Sequence, residues 1–509
     1  MRALSAAVFL AFLAAGLLYP LLRILALGAG PEGLGLLQDP YYWQRLAFSF
    51  TYGLAAALAV AFLSLPIAYG LVLGFPGRAA WVALASVPFV LPTIVVAAAF
   101  LALVGPKGAL GVDLTGSFLV LLWAAVFYNL GFAARILHGL LPRAGGEAFA
   151  AARSLGASPF RAFLRVSLPA LFPGLLTAGI LTFVFTFASF GVPLLLGGYR
   201  YSTLEVEIYR LLAYELDFKG AAALVLWQAV VLTSVSLLYL LAARRLGAEG
   251  QAQSPGPAEG GYLRGAVFWL FLLFIYAPLI ALIYASFKTP EGLGLDHYLA
   301  VLTSGDAYFR PGLLVALKNT LLFGIGAALL ALLPGVAYAT LAARGGVLTE
   351  LLGLLPLVVS PVSLGVGYLL AYPHLKAHPL SLVLIYATLG FPLLARALVP
   401  ALRSLGGELA AAAATLGAAP WRRLVRVELP LALPALASGA ALALAVAIGE
   451  FGATLLLFRP EWTTLTLAIY ERLSRPGLAN YGEAMALSVV LAVVSGTLFF
   501  LLARRAEIA

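Results

Sequence analysis

The chain has 509 residues, of which 63% are hydrophobic and 10% are charged, and its net charge is +10. A soluble domain has about 25% charged residues, so a chain this long and apolar lacks the polar surface of a water-soluble fold. The sequence contains no cysteine, which excludes a disulfide framework and a thiolate metal site. Because the basic residues lie in loops between apolar segments, we predict an integral membrane protein and not a nucleic-acid-binding one.

Apolar segments of about 20 residues, the length needed to cross a bilayer, occur six times in each half of the chain. The first half has predicted spans at 4–22, 47–74, 81–104, 117–137, 170–196 and 220–242. The second half has predicted spans at 266–287, 319–343, 348–372, 380–399, 431–458 and 484–503. Prolines inside the third and ninth spans predict kinks at Pro88, Pro92, Pro356 and Pro361.

The segment 246–265 is rich in Gly, Pro, Ala and Gln, and it predicts a flexible cytoplasmic linker between domains at 1–245 and 266–509. The first span shares features with a cleaved signal peptide, but its length favours a retained helix. With the amino terminus in the cytoplasm, 18 of the 31 Lys and Arg residues fall inside and 13 outside. We therefore predict that both termini are cytoplasmic. The outer loops 197–219 and 459–483 each contain an amphipathic run, which we expect on the membrane surface or against an external partner.

The two halves share a sequence repeat at a constant offset of 261 residues, and we call two residues related by this offset repeat mates. The stretch 145–173 reads GGEAFAAARSLGASPFRAFLRVSLPALFP, and 406–434 reads GGELAAAAATLGAAPWRRLVRVELPLALP. Mates also match beyond this stretch, as in Phe190-Gly191 with Phe451-Gly452 and Tyr209 with Tyr470. Since six spans is an even number, the repeat is parallel, with a pseudo-two-fold axis along the membrane normal.

Each copy of the repeat predicts a helix-turn-helix that projects into the cytoplasm, which we call a coupling turn. In the first copy a helix begins at Glu147, Gly156 ends it because glycine takes positive φ without strain, and Pro159 starts the next helix. The small-residue face is suited to docking in a groove of another protein. The predicted docking residues are Glu147, Ala150, Ala151, Ala152, Gly156, Arg161 and Arg165 and, in the second copy, Glu408, Ala411, Ala412, Ala413, Gly417, Arg422 and Arg426. The sequence has no G-x-x-x-x-G-K-[ST] loop, so it cannot bind a nucleotide in that manner, and energy, if needed, must come from outside the chain.

The coupling turns resemble the cytoplasmic signature of permease subunits of type I ABC importers. That signature is Glu-Ala-Ala, three residues, Gly, nine residues, an aliphatic residue, one residue, and Leu-Pro. Its spacing is met by Gly156, Val166 and Leu168-Pro169, and again by Gly417, Val427 and Leu429-Pro430. The glutamate of the signature falls on Ala150 and Ala411, which is a departure, while Glu147 and Glu408 lie one helical turn earlier.

The resemblance implies an all-α integral membrane protein with about 12 transmembrane helices in two parallel six-helix repeats, the ABC transporter type I transmembrane fold. It implies location in the bacterial cytoplasmic (inner) membrane. The implied partners are two ATP-binding subunits on the cytoplasmic side and an extracytoplasmic substrate-binding protein. The chain itself would then be a permease and not an enzyme, with no catalytic residue, metal or cofactor.

The ligand is indicated only by finer resemblance. In its length and fused double form, the sequence resembles the permeases for thiamine and for ferric iron. The stretch FASFGVPLLLGG at 187–198 is similar to the thiamine group. GEFGATLLL at 449–457 is more similar to molybdate and sulfate permeases. The resemblance therefore implies thiamine or a phosphorylated thiamine, with ferric iron and oxyanions as alternatives. An ion-coupled secondary transporter is a further alternative from another class, although it would need more titratable groups in the spans.

Three polar residues are candidates for the translocation pathway or its gate. Glu450 is an acid well inside a predicted span, and buried acids in membranes usually face a cavity or a partner. A structural hydrogen bond is the alternative for Glu450. Its repeat mate is Ser189, so the halves differ at this point. Asn129 in the fourth span could line the pathway or make a hydrogen bond between helices.

Overall fold

The protein is described by a computed structural model over residues 2–70, 87–145, 147–246, 262–304, 311–343, 345–346, 349, 352–353, 355–405 and 412–508. The helices of the first half are α1 Arg2–Leu13, α2 Tyr19–Gly28, α3 Pro31–Gly35, α4 Pro40–Gly70, α5 Val87–Val90, α6 Thr93–Val104, α7 Phe118–Gly145, α8 Glu147–Ser154, α9 Pro159–Ala162, α10 Leu168–Phe187, α11 Gly191–Leu196, α12 Leu204–Arg210 and α13 Phe218–Leu246. The elements of the second half are α14 Tyr262–Phe287, β1 Lys288–Thr289, β2 Gly292–Leu293, α15 Asp296–Thr303, α16 Leu313–Ala342, α17 Pro361–Ala371, α18 Leu380–Ser404, α19 Pro420–Arg423, α20 Leu429–Leu431, α21 Leu433–Gly449, α22 Gly452–Leu456, α23 Leu465–Leu473 and α24 Leu478–Ile508.

The membrane-crossing capacity of these helices agrees with the predicted fold class. Within the described ranges, nine helices are long and apolar enough to span, and a tenth candidate is the pair Pro420–Leu431 and Leu433–Gly449, bent by 78°. Two predicted spans differ: 81–104 contains the 12-residue α6 and 348–372 contains the 11-residue α17. At 1.5 Å per residue these helices are about 18 Å long or less, short of a core of about 30 Å.

Two of the prolines for which kinks were predicted, Pro92 and Pro361, lie at the starts of the two short helices. Pro92 directly precedes α6, and Pro361 is the first residue of α17. The first turn of a helix has no use for the N–H that proline lacks, so both positions are favourable. The Ser360 hydroxyl completes the start of α17 by accepting a hydrogen bond from the Ser363 N–H at 3.0 Å. Residues 247–261 of the predicted linker lie outside the described residues, while 246 ends α13 and 262–265 begin α14.

The first helix of each half crosses over to pack against the opposite half. α1 lies against α16 and α2 against α17, while α14 lies against α4 and α6. Two tyrosines of the second half donate hydrogen bonds to carbonyls of the first helix: Tyr368 to Gly16 at 3.1 Å and Tyr372 to Ala15 at 2.7 Å. Both carbonyls belong to the π-helical turn Ala14–Leu18, a local irregularity in helix bonding.

The two amphipathic runs of the predicted outer loops fold into the protein. They form α12 and α23, whose residues are mostly buried. Their first N–H groups are satisfied in the same way in both halves: Leu204 N donates to Ser49 Oγ at 2.7 Å, and Leu465 N donates to Thr320 Oγ1 at 2.8 Å. The expectation that these runs lie on the membrane surface is therefore wrong, because both helices are buried and hydroxyl groups of the spans accept from their first N–H groups.

Candidate functional site

The first coupling turn has the predicted helix-turn-helix geometry. α8 ends at Ser154, and Gly156 has φ of +86°. The chain reverses through two bonds of the kind that close helix ends, from Gly156 N to Arg153 O at 3.0 Å and from Ala157 N to Ala152 O at 3.1 Å. The Ser158 hydroxyl then caps α9, whose first residue is proline. The roles predicted for glycine and proline in this turn are confirmed.

The second coupling turn repeats this geometry at its mates. Residues 412–415 are helical, Gly417 has φ of +74°, and its N–H donates to Ala414 O at 3.0 Å. In place of a hydroxyl cap, this copy has an ion pair from Arg423 to Glu428 at 3.1 Å. Each turn runs through a π-helical segment, Phe163–Ser167 or Leu424–Glu428, into the next long helix. The predicted Glu408 and Ala411, and the side chain of Glu147, lie outside what the structure describes.

Both turns present an exposed apolar and basic surface. Leu155 and its mate Leu416 are 89% and 88% exposed at the two tips. Phe160 and its mate Trp421 are exposed at 70% and 56%. The predicted docking residues that are exposed around these tips are Ala150, Ala151, Arg161, Arg165, Ala412, Arg422 and Arg426, while Ala152 and Ala413 are half-buried. The exposed apolar side chains therefore lie at equivalent places in the two turns, next to exposed arginines.

A second feature lies where the two halves meet on the pseudo-two-fold axis. The rings of Phe190 and its mate Phe451 stack with centroids 5.5 Å apart and an interplanar angle of 30°. The glycines that follow them allow the close approach: a Cβ on Gly191 would lie 3.3 Å from the Phe451 ring, and a Cβ on Gly452 would lie 3.3 Å from the Phe190 ring. Contact between repeat mates across the halves places this aromatic pair on the axis.

Two tyrosines extend the aromatic pair into a four-ring cluster. Phe190 contacts Tyr209 of α12 at 5.4 Å, and Phe451 contacts Tyr470 of α23 at 5.4 Å. These tyrosines are also repeat mates. We call these four residues the axial cluster. The sequence carried a signal for it, since both aromatic pairs recur at the offset of 261, but it gave no indication that the mates touch.

Glu450 differs from its predicted place inside a span. The structure puts it at a break between α21 and α22, directly before Phe451. Its carboxylate accepts hydrogen bonds from the N–H groups of Ala453 and Thr454, both at 3.0 Å, and from the Thr454 hydroxyl at 2.6 Å. These donors belong to the start of α22, so the carboxylate caps that helix. The observed contacts of Glu450 are therefore structural hydrogen bonds, which was the alternative to a role in the pathway.

The other two predicted pathway residues make local contacts. Ser189 lies at the equivalent break between α10 and α11, where its carbonyl accepts from Thr203 Oγ1 at 3.2 Å. Asn129 is buried on α7, and its amide donates to Ala125 O of the same helix at 2.9 Å. That bond lies within one helix, whereas the prediction was a pathway position or a bond between helices.

A buried acid that sequence reasoning missed is Glu205 on α12. It is fully buried, and its Oε1 accepts a hydrogen bond from the side-chain amide of Gln228 on α13. Burial raises the pKa of this carboxyl to about 7, with the nearby Ser360 hydroxyl and Gln228 acting in the opposite direction. The residue escaped notice because it lies in a run predicted to be on the surface, where a glutamate carries no signal.

Comparison with known proteins extends over both halves. The chain matches the family model described as binding-protein-dependent transport system inner membrane component over residues 62–248 and 258–507. The thiamine transport system permease protein ThiP of Brucella suis biovar 1 is 28% identical over 98% of this chain and 94% of its own length. ThiP of Escherichia coli K12 is 27% identical over 86% of this chain and 84% of its own length.

A shorter relative covers about half of the chain. The putative 2-aminoethylphosphonate transport system permease protein PhnV of Salmonella typhimurium is 32% identical over 47% of this chain and 91% of its own length. The family match takes in both coupling turns and the axial cluster, and it occurs twice, as the internal repeat requires. The chain therefore belongs to the family of inner membrane permease components of binding-protein-dependent transport systems, as a fused double permease of an ABC importer.

Proposed function

We propose that this permease imports thiamine or a phosphorylated thiamine. The observation that carries the proposal is the extent of similarity: relatives named as thiamine permeases align with 86% and 98% of the chain, across both halves. The aromatic axial cluster adds support, since ring faces attract flat cations and thiamine carries a cationic ring. The domain division at 1–245 and 266–509 is part of the same proposal.

The coupling turns are the proposed docking points of two ATP-binding subunits, one under each half. Their mated tips, Leu155 and Leu416, offer equivalent apolar surfaces to a two-fold partner. Closure of the ATP-binding subunits would move both turns together, and the π-helical segments that follow them connect directly to α10 and to α20–α21. This arrangement requires both termini in the cytoplasm and an extracytoplasmic binding protein that delivers ligand to the opposite face.

The axial cluster is the proposed gate. Its stacked phenyl rings close the axis in the present conformation, and the helix breaks beside them, at Ser189 and Glu450, give α11 and α22 freedom to turn. In this proposal Glu450 holds the shape of the break and Ser189 occupies the same place in the other half. Asn129 remains a candidate for the pathway wall.

A second candidate ligand is a small phosphonate. The 32% identity to a permease named for 2-aminoethylphosphonate favours it, although that relative aligns with only 47% of this chain. Both candidate ligands carry a positively charged group, so the choice between them does not alter the requirement for a cation-compatible pathway.

Uptake of labelled compounds by cells with and without this gene tests the proposal. We expect the deletion to abolish uptake of thiamine or its phosphate and leave uptake of ferric iron and 2-aminoethylphosphonate unchanged. Complementation with the intact gene should restore uptake, whereas a Gly156→Val/Gly417→Val gene should not. Loss of 2-aminoethylphosphonate uptake alone would support the second candidate, and loss of iron uptake alone would overturn both.

A further inference from the structure

The Glu205 carboxyl group has one oxygen that nothing in the described part of the protein satisfies. Oε1 accepts from Gln228 Nε2, and the Ser360 hydroxyl lies near the carboxyl group, but no donor reaches Oε2 with hydrogen-bond geometry. The residue is 0% exposed. A buried carboxylate with an unpaired oxygen costs several kcal/mol unless a partner is supplied, so this position is expensive to maintain for structure alone.

The hydrogen bonds around Glu205 run in one direction and cross between the halves. Ser363 Oγ of α17 donates to Gln228 Oε1 at 3.2 Å, and Gln228 Nε2 donates in turn to Glu205. Chains of this kind polarise one another and strengthen the final acceptor. The chain ends on the carboxylate, which is the arrangement that favours its ionised form.

The hydrogen-bonded chain from Ser363 through Gln228 to Glu205 lies beside the axial cluster. Glu205 and Tyr209 are four residues apart on α12, which puts them on the same helix face. Tyr209 touches the Phe190 ring of the gate. On the other side of the chain, Val362 of α17 approaches Gly452, where an added Cβ would lie 2.8 Å from its side chain. The two ends of this hydrogen-bonded chain are therefore close to the gate: Glu205 is one helical turn from Tyr209, and Ser363 is one residue from Val362.

Glu450, the other acid near the gate, has no such capacity. Each of its oxygens already accepts from a backbone N–H, and one also accepts from a hydroxyl. The repeat mates of the two acids are neutral: Thr466 is the mate of Glu205, and Ser189 is the mate of Glu450. The two acids thus occupy different places in the repeat, and only the one on α12 has an oxygen available.

We propose that Glu205, supported by Gln228 and Ser363, forms a binding site at the boundary between the halves for a positively charged, hydrogen-bond-donating group of the transported ligand. The site is closed in this conformation and becomes accessible when the halves part and the axial cluster opens. An ammonium or an amino-substituted heterocyclic cation fits, because it offers both charge and N–H donors to the vacant oxygen. This inference rests on the proposed import of an organic cation.

The test compares Glu205→Gln with Glu207→Gln in the complete transporter, reconstituted in proteoliposomes with its ATP-binding subunits and binding protein. Glu207 is a matched control: it is on the same helix and buried, but its oxygens already accept from Tyr41 at 3.1 Å and from Arg210 at 2.6 and 2.9 Å. The measured quantities are the apparent KM for uptake of labelled thiamine and of labelled 2-aminoethylphosphonate, the ATPase rate and the thermal midpoint.

For Glu205→Gln we expect the apparent KM of whichever of the two compounds the unchanged protein imports to rise about tenfold or more, the value of a lost charge-assisted hydrogen bond. The thermal midpoint should stay near that of the unchanged protein. For Glu207→Gln we expect the reverse, a lower thermal midpoint with a KM within about twofold, because its carboxylate serves internal bonds.

A KM unchanged by Glu205→Gln would overturn this inference alone. It would show that Glu205 does not bind the ligand through its charge and is instead a protonated, structural acid that glutamine can replace. Equal KM increases in both variants would also overturn it, by showing a general effect of removing charge from α12. If the unchanged protein moves neither labelled compound, this inference and the proposed thiamine function both fail.

Discussion

The two glycines with positive φ make the coupling turns sensitive to any residue that has a Cβ. Gly156 and Gly417 have φ of +86° and +74°, and an L-residue pays roughly 1–2 kcal/mol in this region. A Cβ at either position would have nothing within 4 Å, so the penalty is backbone strain and not collision. Valine at one turn should therefore shift that turn away from its present shape by about 5–30-fold.

We expect the Gly156→Val/Gly417→Val protein to insert at normal levels but to lose most binding-protein-stimulated ATP hydrolysis and uptake. Asparagine at both positions should retain more activity than valine, since it tolerates this conformation. The matched control is Gly111→Val, because Gly111 also has positive φ, +66°, and open space around its Cβ, but lies in the predicted outer loop. Full activity of the double valine protein would refute the reasoning, and equal loss in the control would show general destabilisation instead of lost coupling.

Three further predictions concern the parts that hold the halves in place. Arg472→Leu should lower stability by about 3–5 kcal/mol, because it breaks a buried ion pair with Glu483 at 2.9 Å; thermal unfolding in detergent should show that replacing both residues by leucine is less harmful than the single change. Ser49→Ala should cost about 1 kcal/mol by removing the acceptor for Leu204 N, and hydrogen exchange at α12 should increase while exchange at α23 does not. Tyr368→Phe removes the bond to the first helix and should cost about 1 kcal/mol, with the loss absent in a variant that lacks residues 1–28.

The coupling turns could be read from the sequence because their determinants are local. A glycine that ends a helix and a proline that begins one act within a few residues, and each occurs at the same place in both halves. The structure places Gly156 and Gly417 in the left-handed region and makes Pro159 and Pro420 the first residues of α9 and α19. Repetition removed the ambiguity that a single copy would have left.

The region around the axial cluster could not be read in the same way, because its apolar sequence hides both a helix break and contacts between distant segments. An apolar run such as 431–458 shows no sign of the break at Glu450, since the residues on both sides are equally suited to a membrane helix. The break depends on a carboxylate that caps the following helix. Likewise, α12 and α23 have the pattern of surface helices, yet Ser49 and Thr320 hold them inside the protein. Hydrophobic periodicity reports one buried face but does not say what covers the other.

The pattern of symmetry within the molecule separates motion from recognition. The turn glycines, the stacked rings of the axial cluster and the hydroxyl acceptors at the starts of α12 and α23 are kept in both halves, as a coupled motion of the halves would require. The acids are not kept, since the repeat mate of Glu205 is Thr466 and that of Glu450 is Ser189. One small ligand on a two-fold axis cannot present the same group to both halves, so a site that recognises its charged end has to belong to one of them. Because the two halves differ in sequence, the acid can reside on α12 alone, while in the proposed mechanism both coupling turns still contact the same two-fold partner.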